Sequence, residues 1–160
     1  MDISFDILNN KGDQIRVALS YYDIETLQAF TDDPLTLTLI FYDVTLVRIS
    51  GEGPVGIKTL QTICDVLYRF MNENESAVLC FYCDDMTEVP RHHTEFSPQE
   101  YRSRLFSRMF DMYVQANDIH GLMNYGIKIE NNNRPQFAHF ITAEKYLPAV
   151  RLLGNIIMAK

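Results

Sequence analysis

The sequence predicts one α+β domain over residues 1–160, in which a mostly antiparallel sheet of six or seven strands packs with two or three amphipathic helices. Three observations carry this expectation. Short apolar runs rich in β-branched and aromatic residues recur from ISFDIL (3–8) to PQFAHFIT (135–142). Two segments, 56–73 and 97–117, instead repeat their apolar residues at helical spacing. The chain has 160 residues, 47% of them hydrophobic, which is enough for one core and cramped for two.

In chain order, ISFDIL (3–8) and QIRVALSYY (14–22) flank NNKGD (9–13), whose Asn, Gly and Asp suit a hairpin turn. DIETLQAFTDD (23–33) reads as a helical turn or loop. LTLTLIFY (35–42) and VTLVRIS (44–50) continue the strand signal, making four expected strands before residue 51. From Ile57 the period changes: Ile57, Leu60, Cys64, Leu67 and Met71 fall on one helical stripe, with Lys58, Gln61, Asp65, Arg69 and Asn72 opposite. SAVLCFYC (76–83) is a nearly unbroken apolar run, as expected of a central strand buried on both faces. In SPQE (97–100), Ser97 can cap a helix, Pro98 takes its first position and Glu100 completes a capping box. The apolar stripe expected of that helix is Tyr101, Leu105, Met109, Met112 and Ala116. MNYGIKIE (123–130) and PQFAHFIT (135–142) read as a hairpin around NNNR (131–134), followed by a last helix near Lys145 to Met158.

Composition narrows the function classes. A net charge of −7 disfavours whole-surface attraction to nucleic acid and suits a basic protein partner. The N-terminus has no basic segment ahead of an apolar run, so no signal peptide is read there, and no stretch approaches membrane-spanning length. Three cysteines without a secretory signal point to a reduced, cytoplasmic protein.

RISGEGPVG (48–56) is a glycine-rich turn between a strand and a helix. It satisfies G-x-G-x-x-G through Gly51, Gly53 and Gly56, a pattern that brings backbone amides and a helix N-terminus up to phosphate oxygens. A dinucleotide site is not expected, because the preceding strands read as antiparallel and no acidic residue ends a strand at the required distance. The bland reading is a strand-to-helix turn. Cys80-x-x-Cys83 is read as buried apolar cysteines: residues three apart on a strand face opposite ways, and no helix starts there to stabilise a thiolate.

A candidate pocket is expected where strand 76–83 ends, with Asp84 or Asp85 meeting Arg102. Arg102 falls within the apolar stripe of a first helical turn, where it opposes the helix dipole and loses water, so it needs a carboxylate. The bland reading is an ion pair that pins the loop, and the functional one a clamp on a ligand. His92 and His93 belong to the same loop; adjacent residues on an extended chain diverge, so they are expected exposed and no metal site is expected. No spacing selects a nucleophilic set from Cys83, a histidine and Asp84. Arg91, His92, His93, Arg104 and Arg108 form a basic cluster suited to a local phosphate.

Residues Arg48 to Gly53 also read Arg-x-x-Gly-x-Gly, which resembles the acyl-CoA-binding loop of the N-acetyltransferase superfamily. The order of strands, glycine loop, helix, strand, helix and final hairpin is similar to that family's core over residues 35–142. The resemblance implies an acetyl-CoA site at Arg48, Gly51, Gly53 and Gly56. Pro54 departs from the pattern because it lacks an N–H for phosphate oxygens, and RLFSRMFDMY (104–113) stands where the family ends its second helix in a Tyr-Glu-x-x-Gly-Phe-like sequence. A second likeness covers residues 57–113. A helix ending at Phe70, then Cys83-Asp84, then Arg102 to Phe106 is similar to a group of small bacterial proteins of unknown function, and this likeness implies no activity. The loop 86–96 is longer here than in that group.

Two functional classes follow. One is a non-enzymatic interaction module without a cofactor, acting as a homodimer or holding a basic protein partner, as an immunity protein or antitoxin holds a toxin. The other is a CoA-dependent N-acyltransferase using loop 48–56 and acetyl-CoA. The lack of an evident catalytic set, together with Pro54, favours the module.

Overall fold

The computed structural model describes residues 3–21, 38–52, 56–83, 98–130 and 135–159, and every count below refers to them. The elements run β1 (Ile3–Leu8), β2 (Gln14–Tyr21), β3 (Ile40–Ser50), α1 (Ile57–Glu73), β4 (Ala77–Cys83), α2 (Pro98–Ala116), β5 (Leu122–Ile129), β6 (Gln136–Ala143), a short 3-10 turn at Glu144–Tyr146, and α3 (Leu147–Ala159). The six strands form one sheet in the order β1-β2-β3-β4-β6-β5. Every neighbouring pair is antiparallel except β3 and β4, which are parallel. Chain connectivity accounts for this: a short turn joins β1 to β2 and only six residues separate β5 from β6, whereas β3 reaches β4 through the crossover helix α1.

The sheet carries helices on both faces. Ile63, Leu67 and Phe70 of α1 are buried against Val17, Leu19, Tyr42, Val44 and Leu79, with Phe106 and Phe110 of α2 packed beside them. Ala149, Val150 and Leu153 of α3 are buried on the other face with Phe41, Val78, Cys80 and Phe140. Alternate residues of β4 therefore enter opposite layers, which is why its sequence shows no polar alternation. No helix among the described residues is long and apolar enough to cross a membrane.

Three details differ from the sequence expectation. One strand, Ile40–Ser50, runs through Asp43, where the sequence suggests a break, so three described strands precede residue 51 rather than four. Ile57 is 74% exposed, and Thr59, Ile63, Leu67 and Phe70 form the buried line of α1. On α2 the stripe is rotated: Leu105 and Met112 are exposed, while Gln99 is buried and Ser103, Phe106, Ser107 and Phe110 are half-buried. The rotation has a chemical cause. Ser103 faces the buried His139 and Ser107 the half-buried Asn124 on the sheet, and Gln99 donates through Nε2 to the Pro135 carbonyl at 2.9 Å, so polar residues occupy the inner face of this helix.

This phase has a direct test. Phe106→Ala should lower stability by about 2–3 kcal/mol, since the ring is wedged between Phe81 and His139. Leu105→Ala, one residue earlier and exposed, should cost under about 1 kcal/mol in the same denaturant titration.

Candidate functional site

The parallel pair determines where a site can form. Its ladder consists of Ile40, Phe41, Tyr42 and Asp43 against Ala77, Val78, Leu79 and Cys80. Both strands continue beyond it. From Val44, β3 stays paired with β2 up to Ser50, while β4 stays paired with β6 up to Cys83. The β3–β4 ladder thus stops although each strand remains extended, and the sheet forks at Asp43 and Cys80. Along the β3 arm every residue from Thr45 to Ser50 is exposed, including Leu46 (47%), Val47 (44%) and Ile49 (45%). An exposed apolar strand with an unladdered edge is an open template for an extended ligand or chain.

Asp43 sits at the base of the fork and is half-buried; loss of water raises its carboxyl pKa above the usual value. Cys80 lies opposite it, and burial, reinforced by Asp43, holds that thiol protonated well above its ordinary pKa. Cys80 is therefore a poor nucleophile, because only the thiolate attacks.

The β3 arm ends in the glycine loop. Arg48, Gly51 and Gly56 all lie at this end of the sheet, and α1 begins immediately after Gly56, which serves as its N-cap without a side-chain hydrogen bond. The first turn of α1 carries no acidic residue. Uncapped N–H groups at a helix start favour an anion. Asp13, buried at the end of the β1–β2 turn, accepts from Asn9 Nδ2 at 2.9 Å, and Arg48 Nη2 lies 3.9 Å from its Oδ1. The same Asn9 amide reaches Thr59 Oγ1 in the first turn of α1 at 3.0 Å, so the hairpin turn is docked against the helix start. Gly51 adopts φ +107, and a Cβ there would overlap the Asp13 carboxylate. This glycine is thus required by the turn and by the approach of Asp13.

Between α1 and α2, over the sheet, lies an apolar cleft of about 130 Å³. Leu46 from the β3 arm and Phe81 from the β4 arm both line it, with Leu60, Cys64, Met109 and Phe110 among the helix residues. Tyr113 on α2 spans the cleft to donate to Asp65 Oδ1 on α1 at 2.6 Å. Burial, aided by this bond to a carboxylate, raises the Tyr113 pKa. Burial likewise raises the Cys64 thiol, with Asp65 adding to the effect.

Behind Phe106, which lines the cleft, the sheet carries a buried polar chain. Ser103 Oγ lies 2.7 Å from His139 Nε2, and His139 Nδ1 lies 3.0 Å from Asn124 Oδ1. Since that amide oxygen only accepts, Nδ1 carries the proton and Nε2 accepts from the Ser103 hydroxyl. Asn124 Nδ2 donates onward to Ser107 Oγ at 3.4 Å. Gly126 leaves room for the imidazole: a Cβ there would come within 3.2 Å of His139 Cε1. A serine–histidine–amide series invites a catalytic reading, but His139 is only 3% exposed and Ser103 lies inside a helix whose backbone N–H groups are committed. The chain satisfies buried polar groups and fixes α2 on β5 and β6.

Of the residues singled out in the sequence, Arg48 and Gly51 both approach Asp13, while Gly56 stands at the start of α1 with open space around it. Gly53, Asp84, Asp85, His92 and His93 lie outside the described residues, as does Arg91, so the expected pairing of Asp84 or Asp85 with Arg102 falls there too. Arg102 is half-buried on α2, with its Nη2 shielded from solvent. Arg104 pairs with Glu100 one turn away at 3.3 Å, and Arg108 is exposed. No cluster of three or more metal-ligating side chains occurs among the described residues. The sequence reading passed over Asp43, Ser103, Asn124 and His139. A carboxylate inside an otherwise apolar strand was the available signal for Asp43. No family model and no curated protein matches the chain.

Two outcomes are expected here. Gly51→Ala should cost about 2–3 kcal/mol, from positive-φ strain and the clash with Asp13, while Gly56→Ala, with open space around an extended backbone, should change stability by less than about 0.5 kcal/mol. Burial also lowers the His139 pKa from 6.5 to about 4. As pH falls through that interval the unfolded chain binds a proton that the folded chain refuses, so stability should decline between about pH 6.5 and 4, by at most about 3 kcal/mol, and level off below. Urea titrations of His139→Gln should lack this decline.

Proposed function

We propose that the chain binds an acyl-CoA thioester where β3 and β4 part and passes its acyl group to an amine, in the manner of the N-acetyltransferase superfamily that the Arg48-x-x-Gly51-x-Gly53 loop resembles. The observation that carries this reading is the fork: a parallel pair that separates after Asp43 and Cys80, with one arm leading straight into that loop and the start of α1. The free edge of β3 offers backbone donors and acceptors to the amide groups of an extended pantetheine arm, as a sheet edge does to an added strand. The uncapped start of α1 and the Arg48 guanidinium suit the pyrophosphate.

Asp43 suits the role of general base. The amine nitrogen attacks the thioester carbonyl carbon, the carbon–sulfur bond breaks as the tetrahedral intermediate collapses, and the amine proton passes to the Asp43 carboxylate, directly or through one water. The departing thiolate is then protonated from solvent. A raised carboxyl pKa brings Asp43 closer to the range in which such proton transfer is efficient. The acidic composition favours a polyamine or similar donor that is cationic elsewhere, its attacking nitrogen reacting as the neutral amine. A reduced, cytoplasmic setting fits a protein with free thiols at Cys64 and Cys80.

A second reading, the interaction module, draws support from Asp13. Its carboxylate already shares Arg48 and abuts Gly51, which lowers the appeal of this loop to a phosphate. Exposed Leu46, Val47 and Ile49 equally suit a protein partner or a second copy of the chain.

Calorimetry separates the two. Acetyl-CoA should bind with a micromolar Kd that weakens at least about tenfold in Arg48→Glu, a loss of about 1.4 kcal/mol. Asp43→Asn should retain binding and lower acyl transfer to a polyamine or lysine acceptor by on the order of 10²-fold. Absence of binding to acetyl-CoA and to free CoA would leave the interaction module as the function.

A further inference from the structure

Resting on the acyl-CoA reading, we infer that the cleft between α1 and α2 is an acyl-chain subsite, and that the thioester this chain takes is a medium-chain one of about six carbons rather than acetyl-CoA. Three observations lead there. The cleft reaches the fork, because Phe81, the residue after the last ladder pair on β4, and Leu46, three residues past it on β3, both line it. Among the described residues its wall contains no charged side chain; the polar groups on it are the Cys64 thiol and the hydroxyls of Tyr68 and Tyr113. Its volume of about 130 Å³ far exceeds the gaps left in a packed core, and apolar cavities of comparable size, about 150 Å³, stay dry and admit a six-carbon ring.

An apolar tail is the occupant this chemistry selects. By strand alternation Asp43 shares the α3-covered face with Phe41 and Cys80, whereas the cleft opens on the face of Tyr42, Val44 and Leu46, so the tail leaves the fork on the side away from the Asp43 carboxylate. A thioester is uncharged at the fork and carries its charge on phosphates at the far end of the arm. The Tyr113–Asp65 hydrogen bond crosses between the helices, so the tail lies beneath this bridge and against the sheet.

A chain-length series tests the assignment. Calorimetry on the full chain would compare free CoA with acetyl-, butyryl-, hexanoyl-, octanoyl- and decanoyl-CoA. Affinity should rise about fourfold per added methylene, on the order of 10²-fold from acetyl to hexanoyl, and level off near eight carbons. Cys64→Phe, which fills the cleft from α1, should bring hexanoyl-CoA down to the affinity of acetyl-CoA. Should that variant fail to fold, alkylation of Cys64 in the unaltered protein, followed by mass spectrometry of its peptide, gives the second readout: hexanoyl-CoA should slow it at least tenfold and acetyl-CoA should not. A series in which CoA binds but chain length has no effect would overturn the subsite and leave the fork reading standing. Failure of every member, CoA included, would overturn both.

Discussion

A parallel ladder of four pairs joins the two halves of the sheet, and the rest of the architecture is arranged around where it stops. On one side β1, β2 and β3 form an antiparallel unit paired through to Ser50; on the other, β4, β6 and β5 form a second. Each unit has its own hairpin, so each can hold its strands together without the other. The helices on the sheet bind the units into one core. Residues of α1 pack on Val17, Leu19 and Leu79 in a single apolar cluster that draws on both halves. Beyond Asp43 and Cys80 the β3–β4 ladder no longer holds the halves together, and among the described residues side-chain packing sets how far they part. The apolar cleft and the exposed arm of β3 are two consequences of that one termination.

The charges near the fork follow the same logic. A carboxylate at the base of a parting pair loses water, so its pKa rises, and its neighbour Cys80 is kept protonated by burial and by that carboxylate. At the outer end of the β3 arm, the first hairpin delivers Asp13 to Arg48, and the Asn9 amide that donates to Asp13 also reaches Thr59 in the first turn of α1. Arg48 thus lies beside a carboxylate of the chain's own, and any anion proposed for this end of the sheet would have to share that guanidinium with Asp13.

Much of the fold was legible because its signals are local. The switch of period at Ile57 marked α1 within one residue, the unbroken apolar run 76–83 located a strand covered on both faces, and alternation around residues 131–134 marked the last hairpin. Asp43 misled because an aspartate between two apolar runs ordinarily signals a turn, whereas here it remains in a strand and is only partly desolvated. The phase of α2 was misjudged for a related reason: hydrophobicity pointed Leu105 and Met112 inward, but Ser103 takes that side because His139, 36 residues later, is buried opposite it. Such pairings have no sequence-local trace. The fork itself belongs to this class, since nothing in either strand announces that its partner leaves after four residues.

Amide hydrogen exchange along β3 tests the fork most directly. In a strand, successive N–H groups point to opposite edges, so from Val44 to Ser50 alternate amides face β2 and the gap left by β4. In the free protein the β2-facing amides should be protected while those facing the gap exchange at least about a hundredfold faster, and saturating acyl-CoA should slow only the second set. Uniform protection of both sets before any ligand is added would contradict the account, because it would mean that β3 and β4 remain paired along their whole length.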